Sequence, residues 1–265
     1  MTKYKLIAID IDGTLVNDEK NILPETMDAI IKAYKTGVHI VIATGRSYPA
    51  AAKYYNQFDF NLPLILYNGS CIRNSKNGEI LLDRTFEQTL AAHIFKTINE
   101  NNAVCCLWKN DTLYFNHNNI YSLEYERITS IKPNFIEDFD TFDLSGVYKF
   151  IWFDTPDKLE KVKTDVLANI DNINYFKSQK YMLEIVPTGI SKGESLAHLA
   201  ELLNVKQEEV IAIGDDENDI SMISYAGLGV AMQNAKEVVK KTADFITDSN
   251  EKNGVGKVIN KYVLE

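Results

Sequence analysis

The chain has 265 residues, 45% of them hydrophobic and 25% charged, with a formal net charge of -9. That length allows two domains and a sizeable core, and the acidic balance argues against nucleic acid or an anionic membrane as partner, since either needs a basic surface. No apolar run approaches membrane length, the N-terminus enters a strand without a signal-type segment, and Cys71, Cys105 and Cys106 offer neither metal spacing nor a disulfide framework, so a cytoplasmic protein, monomeric or a small homo-oligomer, is expected.

The first element, Lys5-Leu6-Ile7-Ala8-Ile9, is a near-continuous apolar run, the habit of a parallel strand covered on both faces. It empties into Asp10-Ile11-Asp12-Gly13-Thr14-Leu15. Ligands in such sheets sit at the carboxyl ends of the strands. Two carboxylates two residues apart would lean to the same side there and repel, a conflict that a divalent cation resolves. Gly13 lets the backbone bend sharply, and Thr14 offers a hydroxyl. A helix is predicted from Pro24, with Met27, Ile30, Ile31 and Tyr34 on one face and a stop at Gly37. A second strand, Val38 to Ala43, leads into Thr44-Gly45-Arg46, a hydroxyl and backbone amides suited to an anion; a third runs Leu64 to Tyr67. This is half of a doubly wound sheet.

From about Asp83 the pattern changes. Alternating, more aromatic runs at Ala103 to Trp108, Asp111 to Asn116, Tyr148 to Phe153, Tyr175 to Lys177 and Tyr181 to Val186 read as strands. Helical stretches at Phe86 to Asn99, Ile120 to Ser130 and Pro156 to Ile170 intervene, and the mixture predicts an α+β domain on an antiparallel sheet. Trp108, Tyr114, Tyr121 and Tyr125 are read as its core, and Glu184 as a surface carboxylate. Near Pro187-Thr188-Gly189 the chain returns to the parallel sheet. Residues 1–82 and 189–265 then form one domain and 83–188 an insertion into it.

After the return, Ser191-Lys192-Gly193-Glu194 opens a helix with Leu196, Leu199, Ala200 and Leu203 apolar, and Ser191 and Glu194 are placed as a capping box. Lys192 in the first turn opposes the helix dipole by roughly a few tenths of a kcal/mol, a local violation that points to function beside an anion-binding helix start. The strand Val210 to Ile213 then empties into Gly214-Asp215-Asp216-Glu217-Asn218-Asp219, and further strands are predicted near Leu228 and Phe245. A calcium loop of the EF-hand type needs Gly at its sixth position and Glu at its twelfth; from Asp215 these are Ile220 and Ala226, from Asp10 they are Leu15 and Asn21. Both frames fail. Oxygen ligands from two strand ends, with no His or Cys among them, suit Mg2+ meeting a phosphate. A P-loop is absent, and Gly227-Leu228-Gly229-Val230-Ala231-Met232 lacks the third Gly of a dinucleotide fingerprint.

In this order, Asp-x-Asp-Gly-Thr, Thr-Gly-Arg, Lys-Gly and Gly-Asp-x-x-Asn-Asp resemble the four signature motifs of the haloacid dehalogenase superfamily. The long insertion between the second and third resembles the Cof-type phosphatases with a C2B cap, as do Leu66-Tyr67-Asn68-Gly69 and Val230 to Ala235, where Gln233 is a mild departure from the subgroup's usual Gly. The resemblance implies an α/β fold, a Rossmann-like doubly wound parallel sheet core with an inserted α+β cap domain. It also implies a Mg2+-dependent phosphatase of small phosphomonoesters, sugar phosphates or phosphorylated cofactors, working through an aspartyl phosphate. Asp10 is then the nucleophile and Asp12 the general acid and base. Mg2+ is held by Asp10, the Asp12 main-chain carbonyl and Asp215, with Asp219 ligating or orienting; Lys192, Thr44, the amides of Ile11 and Gly45, and Asn218 receive the phosphoryl oxygens. The resemblance leaves Arg46 and Asp216 without firm roles. A phosphotransferase or phosphomutase would share Asp10 and Asp12, and a non-catalytic metabolite-binding regulator would be expected to lack a motif residue; all are present.

Overall fold

A computed structural model describes residues 3–265. Its first elements are β1 (Leu6–Ile9), α1 (Pro24–Lys35), β2 (His39–Ala43), α2 (Tyr48–Tyr55), β3 (Pro63–Leu66), β4 (Cys71–Asn74) and β5 (Ile80–Asp83). β1 is buried along its whole length, as an apolar run with no polar alternation requires. α1 starts on Pro24, whose missing N–H costs nothing at a first helical position, and ends where Gly37 takes φ +91°. Of the predicted face Met27, Ile30, Ile31 and Tyr34 only Ile30 is buried; the rest of the buried face is Thr26, Ala29 and Ala33. Small alanines let the helix approach its neighbours closely, while Tyr34 stacks on Phe60 at 3.7 Å between ring centroids.

The inserted elements follow: α3 (Gln88–Glu100), β6 (Val104–Lys109), β7 (Thr112–Phe115), α4 (Ile120–Thr129), β8 (Asn134–Phe135), β9 (Val147–Phe153), α5 (Pro156–Asp165), β10 (Ile173–Gln179) and β11 (Met182–Pro187). The chain closes with α6 (Lys192–Leu202), β12 (Val210–Gly214), α7 (Ile220–Tyr225), β13 (Leu228–Ala231), α8 (Glu237–Thr242), β14 (Phe245–Ile246) and α9 (Gly254–Ile259).

Two units divide these elements. One holds the chain up to Arg46, Lys53–Leu82 and Ser191–Glu265; the other holds Ser47–Ala52 and Asp83–Ile190. The sheet of the first has the order β14-β13-β12-β1-β2-β3-β4-β5. Its strands run parallel from β14 to β3, and β4 turns back antiparallel against β3. β4 and β5 escape the sequence reading because Arg73, Asn74, Asp83 and the partly exposed Leu81 and Leu82 carry no buried-strand pattern. Leu6, Ala8 and Val41 pack with Leu196, Leu199 and Met222 of α6 and α7 on one face. Ile7 and Ile9 turn to the other face by alternation, the side of α1 and α9. The register Ile42, Ile9, Ile213 across β2, β1 and β12 sets three strand exits side by side, at the point where the winding direction reverses.

The second unit is an α+β domain. Its sheet, β10-β11-β9-β6-β7-β8, is antiparallel apart from the β7–β8 pair. Ile94, Phe95 and Ile98 of α3 and Leu159 of α5 pack on Leu107, Phe150, Trp152, Leu183 and Ile185. α4 carries its own start signal, since Asn119 accepts from the Tyr121 and Ser122 amides while the Ser122 hydroxyl accepts from the Asn119 amide. Trp108 and Tyr125 are core residues as expected, with the indole N–H donating to the Tyr125 hydroxyl at 3.1 Å. Glu184 is not on the surface. It is buried in β11 and accepts from the equally buried Lys149 of β9 at 2.9 Å.

Candidate active site

Asp10 leaves β1 with its amide still bonded to Ile213 of β12, so the strand geometry carries the side chain to the exit between the two strands. Asp215 leaves β12 beside it. Thr14 reaches across and donates its hydroxyl to Asp215 Oδ1 at 3.0 Å. Gly13 makes that crossing possible: its φ is +79°, and a Cβ there would lie 2.3 Å from Asp215 Oδ2.

Lys192 is the first residue of α6, held there by Ser191, whose hydroxyl accepts from the Glu194 amide at 3.1 Å. The expected capping box forms only in that half, because the Glu194 carboxylate accepts from the Ser191 hydroxyl at 3.3 Å instead. The ammonium of Lys192 has no solvent exposure and donates to Asp10 Oδ1 and to Asp219 Oδ1, each at 2.6 Å. Asp219 uses its other oxygen to accept the Asp215 and Asp216 amides at 2.9 and 3.1 Å, which folds the loop after β12 around it.

One oxygen from each of Asp10, Asp215 and Asp219 lies within 4.8 Å of the others. Burial, then the charge of Asp219, pushes the Asp10 carboxyl well above its usual range despite Lys192. The same two causes push Asp215 up to about 7, against the Thr14 hydrogen bond. Burial alone would depress Lys192, but Asp10 and Asp219 outweigh it and hold the ammonium protonated. The buried Asp10 and Asp219 and the half-buried Asp215, with one ammonium among them, are short of positive charge, and an all-oxygen set of this size fits a hard divalent cation.

Asp12 points elsewhere. Both its oxygens are taken by Arg46, Nε to Oδ2 at 2.7 Å and Nη2 to Oδ1 at 2.8 Å, and Lys20 adds a third bond at 3.0 Å. Burial raises this carboxyl, but the Arg46 hydrogen bonds and charge, with Lys20, bring it down to about 2. Arg46 thus has a partner that the sequence left open. Asp216 pairs with Lys236 at 2.6 Å, outside the trio of carboxylates.

The remaining residues singled out in the sequence line the same strand exits. Thr44 is buried; its hydroxyl oxygen accepts the Arg46 amide at 3.1 Å, so its own proton is left to donate. Ile11 is buried, and its carbonyl accepts the Val16 amide at 3.1 Å. Asn218 donates its side-chain amide to Asn68 Oδ1 at 2.9 Å, and Asn68 in turn lies against Gly45. Asn68 was not among the site residues read from sequence. Its signal was the Asn-Gly pair directly after an apolar strand, which marks a turn without saying what the turn holds.

Comparison with known proteins gives a consistent result. Residues 7–259 match the family described as haloacid dehalogenase-like hydrolase. The chain is 34% identical over 263 residues to the 5-amino-6-(5-phospho-D-ribitylamino)uracil phosphatase YcsE of Bacillus subtilis, covering 98% of this chain and 96% of that one. It is 26% identical over 272 residues to the pyridoxal phosphate phosphatase YbhA of Escherichia coli, covering 98% and 99%. Among solved structures, a haloacid dehalogenase-like hydrolase from Bacteroides thetaiotaomicron superposes with a TM-score of 0.89 at 32% identity, over 97% of this chain and 99% of that one.

Proposed function

From the premise that the chain belongs to the haloacid dehalogenase-like hydrolases, in their Cof-type branch, we propose that it is a Mg2+-dependent phosphatase of small phosphomonoesters, with Asp10 as its nucleophile. The observation that carries the reading is the convergence of Asp10, Asp215 and Asp219 at one point, with the buried Lys192 bonded to Asp10 and Asp219. Residues 1–82 and 189–265 are read as the catalytic core and 83–188 as a C2B-type cap that selects the ester. Two relatives named for a phosphorylated ribitylaminouracil and for pyridoxal phosphate support phosphorylated cofactors and their precursors, beside sugar phosphates, as the substrate class. Small phosphorylated metabolites as substrates fit a cytoplasmic enzyme, and we take it to be a monomer or small homo-oligomer.

In the first step an Asp10 oxygen attacks phosphorus, the bond from phosphorus to the ester oxygen breaks, and the alcohol leaves with a proton from Asp12. In the second, water attacks the aspartyl phosphate, gives its proton to Asp12, and releases inorganic phosphate with Asp10 restored. Mg2+, held by Asp10, Asp215, the Asp12 carbonyl and Asp219, would neutralise phosphoryl charge. Lys192, Thr44, the Ile11 and Gly45 amides and Asn218 receive the phosphoryl oxygens, a preset donor array of the kind that stabilises this charge through the displacement. With Arg46 and Lys20 on both its oxygens, Asp12 is ionised, the form that accepts the water's proton. Its role as acid in the first step requires those contacts to loosen.

The test is release of phosphate from a panel of sugar phosphates, pyridoxal phosphate, flavin mononucleotide and nucleotides, with and without Mg2+. Asp10→Asn is expected to lose on the order of 10³-fold or more in turnover while folding normally, since it removes the nucleophile and relieves crowding among carboxylates. Undiminished turnover in that variant sinks the mechanism.

A further inference from the structure

The turn after β3 holds a conformation that the phosphatase reading does not use. Tyr67, Asn68 and Gly69 take φ of 52°, 60° and 112°, three successive left-handed residues, all buried. Such backbone is costly for a tyrosine and persists only where its surroundings over-determine it. Here they do. The Tyr67 amide donates to the Arg46 carbonyl at 3.0 Å and the Asn68 amide to the Thr44 carbonyl at 3.1 Å. The Ser195 hydroxyl donates to the Gly69 carbonyl at 2.6 Å, and a Cβ on Gly69 would lie 2.3 Å from the Ser191 carbonyl oxygen. The turn is therefore stitched to the loop after β2 and to the first turn of α6.

What this fixes is the place of one carboxamide. Asn68 Oδ1 accepts from Asn218 Nδ2 at 2.9 Å, and it sits where a Cβ on Gly45 would come within 2.9 Å of it. A terminal amide is free to rotate broadly about its last torsion. Committing one of the two Asn218 N–H donors to Asn68 fixes the amide plane, and with it the direction of the second donor. We propose that Asn68 is a positioning residue for phosphoryl binding. It holds the Asn218 carboxamide and packs over Gly45, so that the loops after β2 and β12 present their donors to one anion in a single preset arrangement. The inference rests on the phosphatase reading above.

The test is a double-mutant cycle read in two ways, the Kd for inorganic phosphate in the presence of Mg2+ and the split of kcat/KM into its parts. Asn68→Gly keeps a residue that tolerates the left-handed backbone and removes the carboxamide. Asn68→Ala removes it at a different backbone cost, so a loss common to both belongs to the side chain. Each is expected to weaken phosphate binding about tenfold, the size of one lost hydrogen bond to a charged group. In the background of Asn218→Ala, neither is expected to weaken it further, because Asn68 acts through Asn218. Wild-type phosphate affinity in both Asn68 variants, or losses that simply multiply with that of Asn218→Ala, overturns the proposal. Failure of the wild-type protein to release phosphate from any ester overturns the phosphatase reading instead, and is read without any variant.

Discussion

Lys192 decides the electrostatics of the site because it is the only cation in direct contact with Asp10 and Asp219 among the described residues, and its own side chain is wholly buried. Removing one partner of a buried, hydrogen-bonded ion pair leaves the other charges uncompensated, at a cost of about 3–5 kcal/mol. Lys192→Met is therefore expected to lower the unfolding free energy by an amount in that range, read as a lower urea midpoint with the slope of the transition unchanged. A loss under about 1 kcal/mol, the usual size for exposed pairs, would count against the buried arrangement. At this scale much was legible in the sequence. Asp10, Asp215, Asp219 and Lys192 stood out because acids at strand exits and a cation at a helix start each break a local rule. The partners of Asp12 were not legible, since nothing in Thr44-Gly45-Arg46 says that the guanidinium reaches back to the first loop.

The same distinction holds for whole elements. β1, β2 and β12 announce themselves by apolar runs, β6, β7, β9, β10 and β11 by alternating, aromatic-rich ones, and α1 and α6 by Pro24 and Ser191 at their starts, whereas the two-residue β8 is too short to carry a pattern. β4 and β5 could not be read, because only Cys71 and Ile72 of them are buried and no apolar run or alternation spans either strand. Glu184 was misjudged for a related reason. A lone carboxylate on a strand looks solvent-facing until the neighbouring strand supplies Lys149. That pair ties β9 to β11 from the interior of their sheet, with side-chain exposures of 4% and 10%. Lys149→Met alone is expected to cost about 3–5 kcal/mol in chemical denaturation, whereas Lys149→Met with Glu184→Leu restores most of it, since matched apolar replacement of a buried pair is often neutral. Equal losses in the single and double variants would show that the strands need the ions themselves.

For the molecule as a whole, the shortage of positive charge at the exits of β1 and β12 predicts that stability is linked to metal. A ligand present at a hundred times its Kd adds about 2.7 kcal/mol to the folded state that binds it. For a chain of this size each kcal/mol is roughly 2–4 °C in melting temperature. Saturating Mg2+ is thus expected to raise the melting temperature by roughly 5–10 °C, EDTA to abolish the shift, and Asp215→Asn to reduce it sharply; an identical shift in that variant would place the ion elsewhere.

β1 lies in the middle of its sheet, yet β12 is made about two hundred residues later. During synthesis at ~5–20 residues per second, β1 therefore waits on the order of 10–40 s with one hydrogen-bonding edge open. A short apolar strand in that state is a template for pairing with other chains. The nascent chain flanks it with charge, Lys5 before and Asp10 after, the kind of gatekeeping that keeps a sticky segment apart from its neighbours. When β12 arrives, Lys5 meets Glu209 at 2.6 Å and Asp10 meets Lys192, so both guards become part of the finished protein. The carboxylate proposed as the nucleophile would thus also protect its own strand while the rest of the chain is still being made.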